Sequence, residues 1–276
     1  MALAFPALAS SVAFHYGPAL TQPQLDWFAR FEVLVTHDPL PREQVAALHR
    51  RGTKLALYEW SVAHYAPRPR LPLLNDQPLR GHAGAEDLDA YYYDPAAPSF
   101  AASRARVLAA RLREAGYDGV FFDTTTEQSV HPDALAEYRR RHPALPYDAA
   151  FARFLRALRE ELKDGVILTN QGYRAAEHYL PYVDYDITES LFVVNGRMRP
   201  WNELDALMRQ WILPAARQYP RVRFVHLNYV DAANDASIVP VVAIARMYGH
   251  DAFVALPDVT KTAMHEVYFV EPHALP

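Results

Sequence analysis

Short apolar runs recur along the chain, separated by longer stretches in which apolar positions return every three or four residues. The first pattern is that of buried strands, the second that of amphipathic helices. Eight runs read as strands: Val12 to Tyr16, Glu32 to Thr36, Lys54 to Tyr58, Gly119 to Asp123, Val166 to Asn170, Tyr185 to Glu189, Arg223 to Asn228 and Ala252 to Leu256. Between them lie segments with helix punctuation. Pro41 suits a first turn and Gly52 a stop, which predicts a helix over Pro41 to Arg51. Ser99 can cap a helix that runs through Ala115 to a stop at Gly116, with Phe100, Val107, Leu108 and Leu112 on one face. Asp148 can cap the next, in which Phe151, Phe154, Leu155, Leu158 and Leu162 form a stripe ending at Gly165. Further helices are expected at Pro132 to Arg141, Tyr173 to Leu180, Trp201 to Gln218 and Asp235 to Tyr248, the last two kinked or broken at Pro214 and Pro240.

Strands alternating with helices predict a parallel α/β protein, and eight of them a single (β/α)8 or TIM barrel over residues 1–276. No repeat or shift of composition marks a second domain. The spacing breaks once, in a long loop insertion after the third strand. Ser61 to Pro98 is about twice the usual loop limit, rich in Pro, and carries Tyr91-Tyr92-Tyr93, which predicts an ordered wall or lid over the barrel mouth.

Chemistry enters where the strands end. In Gly116-Tyr117-Asp118-Gly119-Val120-Phe121-Phe122-Asp123 a helix stops, a turn follows and a buried strand delivers an acid at its C-terminal tip. Asp184-Tyr185-Asp186-Ile187-Thr188-Glu189 repeats the design. The C-terminal rim of such a barrel is where catalytic groups sit. Two carboxylates on one rim can protonate a departing glycosidic oxygen and attack, or activate water, at the anomeric carbon. Asp123 and Glu189 are therefore the candidate catalytic pair. The bland alternatives are an Asp123 that caps the Thr124-Thr125-Thr126 loop and a Glu189 that starts a helix. Asp118 belongs to an Asp-Gly turn on the opposite face of the barrel, and Asp184 and Asp186 read as turn and strand-entry residues. Other strand tips carry polar or aromatic groups suited to a hydroxyl-rich ligand: Tyr16, His37 and Asp38, Glu59 and Trp60, Asn170 and Gln171, Asn228 and Tyr229, and Asp258. Of these, Tyr16, Asp38, Glu59, Trp60, Asn170, Gln171 and Tyr229 are the expected substrate contacts.

Composition narrows the classes. There is no Cys, which excludes disulfides and thiolate metal sites. A net charge of −4 from 28 basic and 32 acidic residues, without a block of either sign, gives no reason to expect a nucleic acid or an anionic membrane as partner. The 12 His form neither His-x-His nor His-Glu-x-x-His, and the 10 Gly form no phosphate loop, nucleophile elbow or dinucleotide fingerprint, so neither metal nor cofactor is expected. No apolar run is long enough to span a bilayer. Met1 to Ser11 is apolar but lacks a basic n-region; it reads as a lead-in to the barrel rather than an intact signal peptide, with a cytoplasmic protein and a secreted one trimmed of its signal both open. The oligomeric state is not legible.

The stretch Asp118-Gly119-Val120-Phe121-Phe122-Asp123 resembles the fourth-strand signature of the endo-α-1,4-polygalactosaminidase family, glycoside hydrolase family 114, and related glycosidase barrels. Thr169-Asn170-Gln171-Gly172 is similar to that family's fifth-strand segment and Thr188-Glu189-Ser190-Leu191-Phe192 to its sixth. The resemblance implies a retaining or inverting glycosidase with Asp123 as nucleophile or electrostatic stabiliser and Glu189 as acid/base. It breaks on the third strand, where Tyr58-Glu59-Trp60-Ser61-Val62 continues into Ala63-His64 in place of the family's Gly-Glu. The expected function is thus hydrolysis of a polysaccharide or oligosaccharide, including amino-sugar polymers; the alternative is a carbohydrate-binding barrel without catalysis, and a metal-assisted enzyme comes third.

Overall fold

The computed structural model describes residues 11–17, 19–61, 63–65, 79–83, 88–123, 125–232 and 235–255. Eight strands, β1 (Val12–His15), β2 (Val33–Thr36), β3 (Lys54–Trp60), β4 (Gly119–Asp123), β5 (Val166–Asn170), β6 (Tyr185–Glu189), β7 (Arg223–Tyr229) and β8 (Asp251–Ala255), form one sheet in chain order. Val12 pairs with Val33, Val33 with Lys54, Gly119 with Val166 and Val225 with Asp251, each in a parallel ladder. The helices between them are α1 (Gln22–Phe28), α2 (Arg42–His49), α3 (Phe100–Ala115), α4 (Pro132–Arg141), α5 (Tyr147–Leu162), α6 (Ala176–Tyr179), α7 (Trp201–Leu207), α8 (Leu213–Gln218) and α9 (Ile238–Met247). This is the expected (β/α)8 barrel. β1, β2 and β5 are buried at every position, as strands covered on both faces must be.

The chain divides into two compact units, Met1–Leu57 with Ile187–Pro276, and Tyr58–Asp186, the divisions falling inside β3 and β6. In the first unit the earliest and latest strands meet. Ser11 donates its backbone N–H and its hydroxyl to Asp251 Oδ2 at 3.2 and 2.5 Å. The Phe14 and Phe253 rings lie 5.7 Å apart, and Trp27 and Phe31 extend the aromatic packing. Behind β7, His226 Nε2 and His250 Nδ1 share a buried hydrogen bond of 2.9 Å. Burial holds both imidazoles neutral, pushing His226 well below its ordinary range and His250 down to about 4.

In the second unit α3 packs on α5. Phe100 and Phe122 both meet Phe154, at 5.7 and 5.5 Å between ring centres. Gly116 ends α3 at φ 76°, a left-handed turn that favours glycine. At Gly119 any Cβ would stand 1.8 Å from the Val166 carbonyl oxygen, so only a bare backbone lets β4 pair with β5 there. Arg104 of α3 is fully buried and lies over the Tyr93 ring at 4.2 Å. Its guanidinium donates to the carbonyls of Ser61 (2.7 Å) and Trp60 (3.1 Å) just past and at the tip of β3.

Several expectations change in detail. Asp148 does not cap its own helix, whose N-cap is Pro146; its carboxylate accepts from Glu127 N–H (2.8 Å) and Tyr179 hydroxyl (2.6 Å) and so ties down the loop after β4. Pro214 does not break its helix; a π-helical turn over Met208–Ile212 absorbs the missing donor before α8 resumes. Pro240 lies in the first turn of α9, where no intrahelical N–H is required. Of the insertion, Ala63–Tyr65, Leu79–Ala83 and Leu88–Tyr92 form a small antiparallel sheet, while residues 66–78 and 84–87 lie outside the described residues. Of its tyrosines, Tyr92 is buried against Val130, Ala134 and Tyr138, and Tyr93 against Phe100 and Arg104, while the side chain of Tyr91 lies outside the described residues. The lead-in Met1 to Ser10, Leu256 and the candidate Asp258 also lie outside the described residues.

Two stability measurements follow from this packing. Replacing the buried guanidinium, as in Arg104→Met, strands two carbonyls and should lower the unfolding free energy by about 3–5 kcal/mol in urea titration. His250, depressed from 6.5 to about 4, favours the fold fully above pH 6.5 and loses that contribution as the unfolded chain protonates first. The advantage of the parent over His250→Gln should therefore shrink by about 3 kcal/mol between pH 7 and pH 4.

Candidate active site

The tip of β4 is built by alternation. Phe122 faces α5, and Asp123, one residue on, points to the other side of the sheet, half-buried. Two side chains from neighbouring strands converge on its carboxylate. The Tyr58 hydroxyl donates to Oδ2 at 2.6 Å and the Asn170 amide to Oδ1 at 2.8 Å, so both oxygens are held. The carbonyl of Asp123 accepts from Ser61 N–H (3.2 Å) and Ser61 hydroxyl (2.7 Å), which locks the backbone of the strand end as well.

The loop that carries Asn170 is fixed from behind. Thr125 hydroxyl donates to the Asn170 carbonyl at 2.6 Å, and the Tyr179 hydroxyl shares its one hydrogen between the Thr125 carbonyl at 2.8 Å and Asp148. Gln171 takes a left-handed conformation at φ 58°, and its side chain turns to accept from Arg174 Nε at 2.9 Å. Beneath this turn lies Asp186, which is completely buried and accepts from Thr169 hydroxyl (2.9 Å), Gly172 N–H (2.7 Å) and Tyr173 N–H (2.9 Å). Burial pushes its carboxyl up to about 7, against the three hydrogen bonds, which pull the other way. Asp186 is thus more than the strand-entry residue its position predicts. Asp184 does serve strand entry, accepting from Ile167 N–H (2.8 Å) and Arg159 Nη2 (2.5 Å).

Glu189, half-buried at the tip of β6, belongs to the other unit. The Tyr229 hydroxyl at the end of β7 donates to its Oε1 at 2.7 Å. The segment that follows is not a helix. Ser190 turns at φ 54° with its N–H on the Leu227 carbonyl (2.8 Å), and Asn228 Oδ1 accepts from Phe192 and Val193 N–H at 2.9 and 3.0 Å. Arg199 closes the loop by donating from Nε to the Leu191 carbonyl at 2.8 Å.

Of the expected substrate contacts, Asn170 meets Asp123 and Tyr229 meets Glu189. Tyr16 and Asp38 line a cavity of about 810 Å³ beyond β1 and β2, with His15, Thr21, Gln24 and Leu40. Glu59 goes elsewhere. It is buried on the opposite face of β3 from Tyr58 and pairs with Arg111 of α3 at 2.9 Å. Trp60 is half-buried, its carbonyl taken by Arg104, and Gln171 is engaged by Arg174. Tyr58 is the contact that reading the strand tips missed; the signal was its place two residues before Trp60, on the face that Glu59 leaves. Among the described residues no group of three or more His, Asp or Glu is arranged to hold a metal ion, and no helix is long and apolar enough to cross a membrane.

No protein-family model matches the chain, and none of the curated proteins matches it. Solved structures do. The glycoside hydrolase domain of PelA from Pseudomonas aeruginosa is similar at TM-score 0.67 and 23% identity, over 90% of this chain and 95% of that one. Ega3 of Aspergillus fumigatus, in complex with galactosamine, is similar at TM-score 0.55 and 15% identity, over 91% and 92% of the two chains. TtGalA, an α-galactosidase from Thermus thermophilus, is similar at TM-score 0.54 and 16% identity, over 87% of this chain and 57% of its own. At these identities the likeness establishes the fold, which is one that glycoside hydrolases use.

Proposed function

We propose that the protein is a glycoside hydrolase that cleaves a polysaccharide or oligosaccharide containing amino sugars, with Asp123 and Glu189 as its two carboxylates. The observation that carries the reading is the caging of Asp123 by Tyr58 and Asn170 at a strand tip. Two side chains, one from each neighbouring strand, place a donor on each of its oxygens. Glu189 ends a strand of the same sheet with a tyrosine hydroxyl on one oxygen. The likeness to glycoside hydrolase domains supports the class, and the galactosamine bound to Ega3 supports the sugar.

The roles follow from the partners. Asp123, with a donor on each oxygen, is oriented as a nucleophile or as the charge that faces an oxocarbenium-like transition state. Glu189 is the proton donor to the leaving oxygen and afterwards the base for water. Its Oε1 faces a hydroxyl, which can give or take a hydrogen bond, whereas Asp123 Oδ1 faces an amide that can only donate. Asn170 and Tyr58 hold the Asp123 carboxylate in place while the sugar reacts.

A panel of amino-sugar polymers, headed by α-1,4-linked galactosamine oligosaccharides, tests this by reducing-end release. The parent should cleave at least one, and Asp123→Asn and Glu189→Gln should each lower kcat by about 10²–10⁴-fold with the thermal transition unchanged. Parental rates in both variants would remove the assignment, and sugar affinity without any cleavage would leave a binding protein. Tyr58→Phe removes one orienting bond and should cost about tenfold in kcat with KM within about twofold, read in the same assay.

A further inference from the structure

The buried carboxylate of Asp186 has no part in sugar chemistry as described, since it sits on the opposite face of β6 from Glu189. Its surroundings are nonetheless built closely. All three of its donors come from one short segment, Thr169 to Tyr173, which ends β5 and turns into the next helix. Oδ1 takes the Thr169 hydroxyl and the Gly172 N–H, while Oδ2 takes the Tyr173 N–H.

The approach leaves no slack. A Cβ on Gly172 would lie 2.5 Å from Thr169 Oγ1 and 2.9 Å from Asp186 Oδ1, so the carboxylate reaches that backbone only because residue 172 is glycine. One residue earlier, Gln171 is held at φ 58°, a conformation costly for a side-chain-bearing residue unless its surroundings impose it. The residue before that strained position is Asn170, whose amide meets Asp123 Oδ1 at 2.8 Å.

We infer that Asp186 is a positioning residue for the Asp123 site: by gripping the hydroxyl and two backbone amides around residues 169–173, it sets where the Asn170 amide stands against the Asp123 carboxylate. The functional side of this inference rests on the proposed role of Asp123; the geometric side does not. Asp186→Asn keeps the volume but turns one acceptor into a donor, which must then face an N–H or a hydroxyl. The turn relaxes and Asn170 moves with it.

Asp186→Asn, Asn170→Ala and the double variant test the coupling. A crystal structure of Asp186→Asn should show the Asn170 amide beyond about 3.5 Å from Asp123 with β5 still paired. With the oligosaccharide that the parent cleaves, kcat should fall about tenfold in Asp186→Asn with KM within about twofold, and the double variant should be no slower than the slower single variant. An Asn170 amide still in place in Asp186→Asn, or single losses that multiply in the double variant, would overturn the inference. If Asp186→Asn does not fold, Thr169→Val removes one donor from the same carboxylate and should give a smaller loss in the same direction; unchanged kcat and geometry there would overturn it equally. Failure of the Asp123→Asn test alone would strike the proposed function and leave the structural readout to decide this one.

Discussion

A full positive charge buried without water is costly unless every direction around it is answered. Arg104 meets most of that requirement: Ser61 and Trp60 accept from its terminal nitrogens, Glu59 lies 3.9 Å away, and Tyr93, Phe100 and Phe154 surround it, while its buried Nε has no acceptor among the described residues. Because the accepting carbonyls belong to the end of β3, α3 cannot shift without dragging that strand end along. Ser61, held this way, is the residue whose hydroxyl and N–H grip the Asp123 carbonyl. The chain of dependence therefore runs from a buried guanidinium through two peptide groups to the backbone of the acid.

A related division of labour holds at the tips of β3, β5 and β7. One face of the strand delivers a side chain to the acid, and the other face delivers a polar group that anchors helix or loop. On β3 Tyr58 takes the first role and Glu59 the second; on β5 Asn170 and Thr169 divide them, and on β7 Tyr229 and Asn228. On each of these three strands one polar residue near the tip therefore serves the scaffold. Their burial is tolerated because each finds a partner.

That division explains what could be read from the chain and what could not. The eight strands were legible because each is a short apolar run with turn residues on either side, and the places of Asp123 and Glu189 at strand tips because an acid ending such a run is conspicuous. Glu59 and Tyr58 differ by a single position, and an acid at the end of an apolar run looks the same whether it faces a ligand or Arg111. Asp186 read as a strand-entry residue because nothing in its immediate neighbours betrays three donors arriving from residues 169–173. Likewise Asp148 looked like a helix cap, and only the return of the loop after β4 shows that its oxygen belongs to Glu127 N–H and Tyr179. Periodicity reports which residues are interior, and long-range partners decide what the interior polar ones do.

The contact between Tyr229 and Glu189 has a further consequence. An amide nitrogen can only donate, but a phenol swivels its hydrogen about the C–O bond at little cost. In the proposed acid/base role of Glu189, the oxygen 2.7 Å away can turn from donor to acceptor by rotation about that bond. Each acid thus has a tyrosine hydroxyl on one oxygen, and what sets Asp123 apart is the Asn170 amide on its other oxygen, a partner that can only donate.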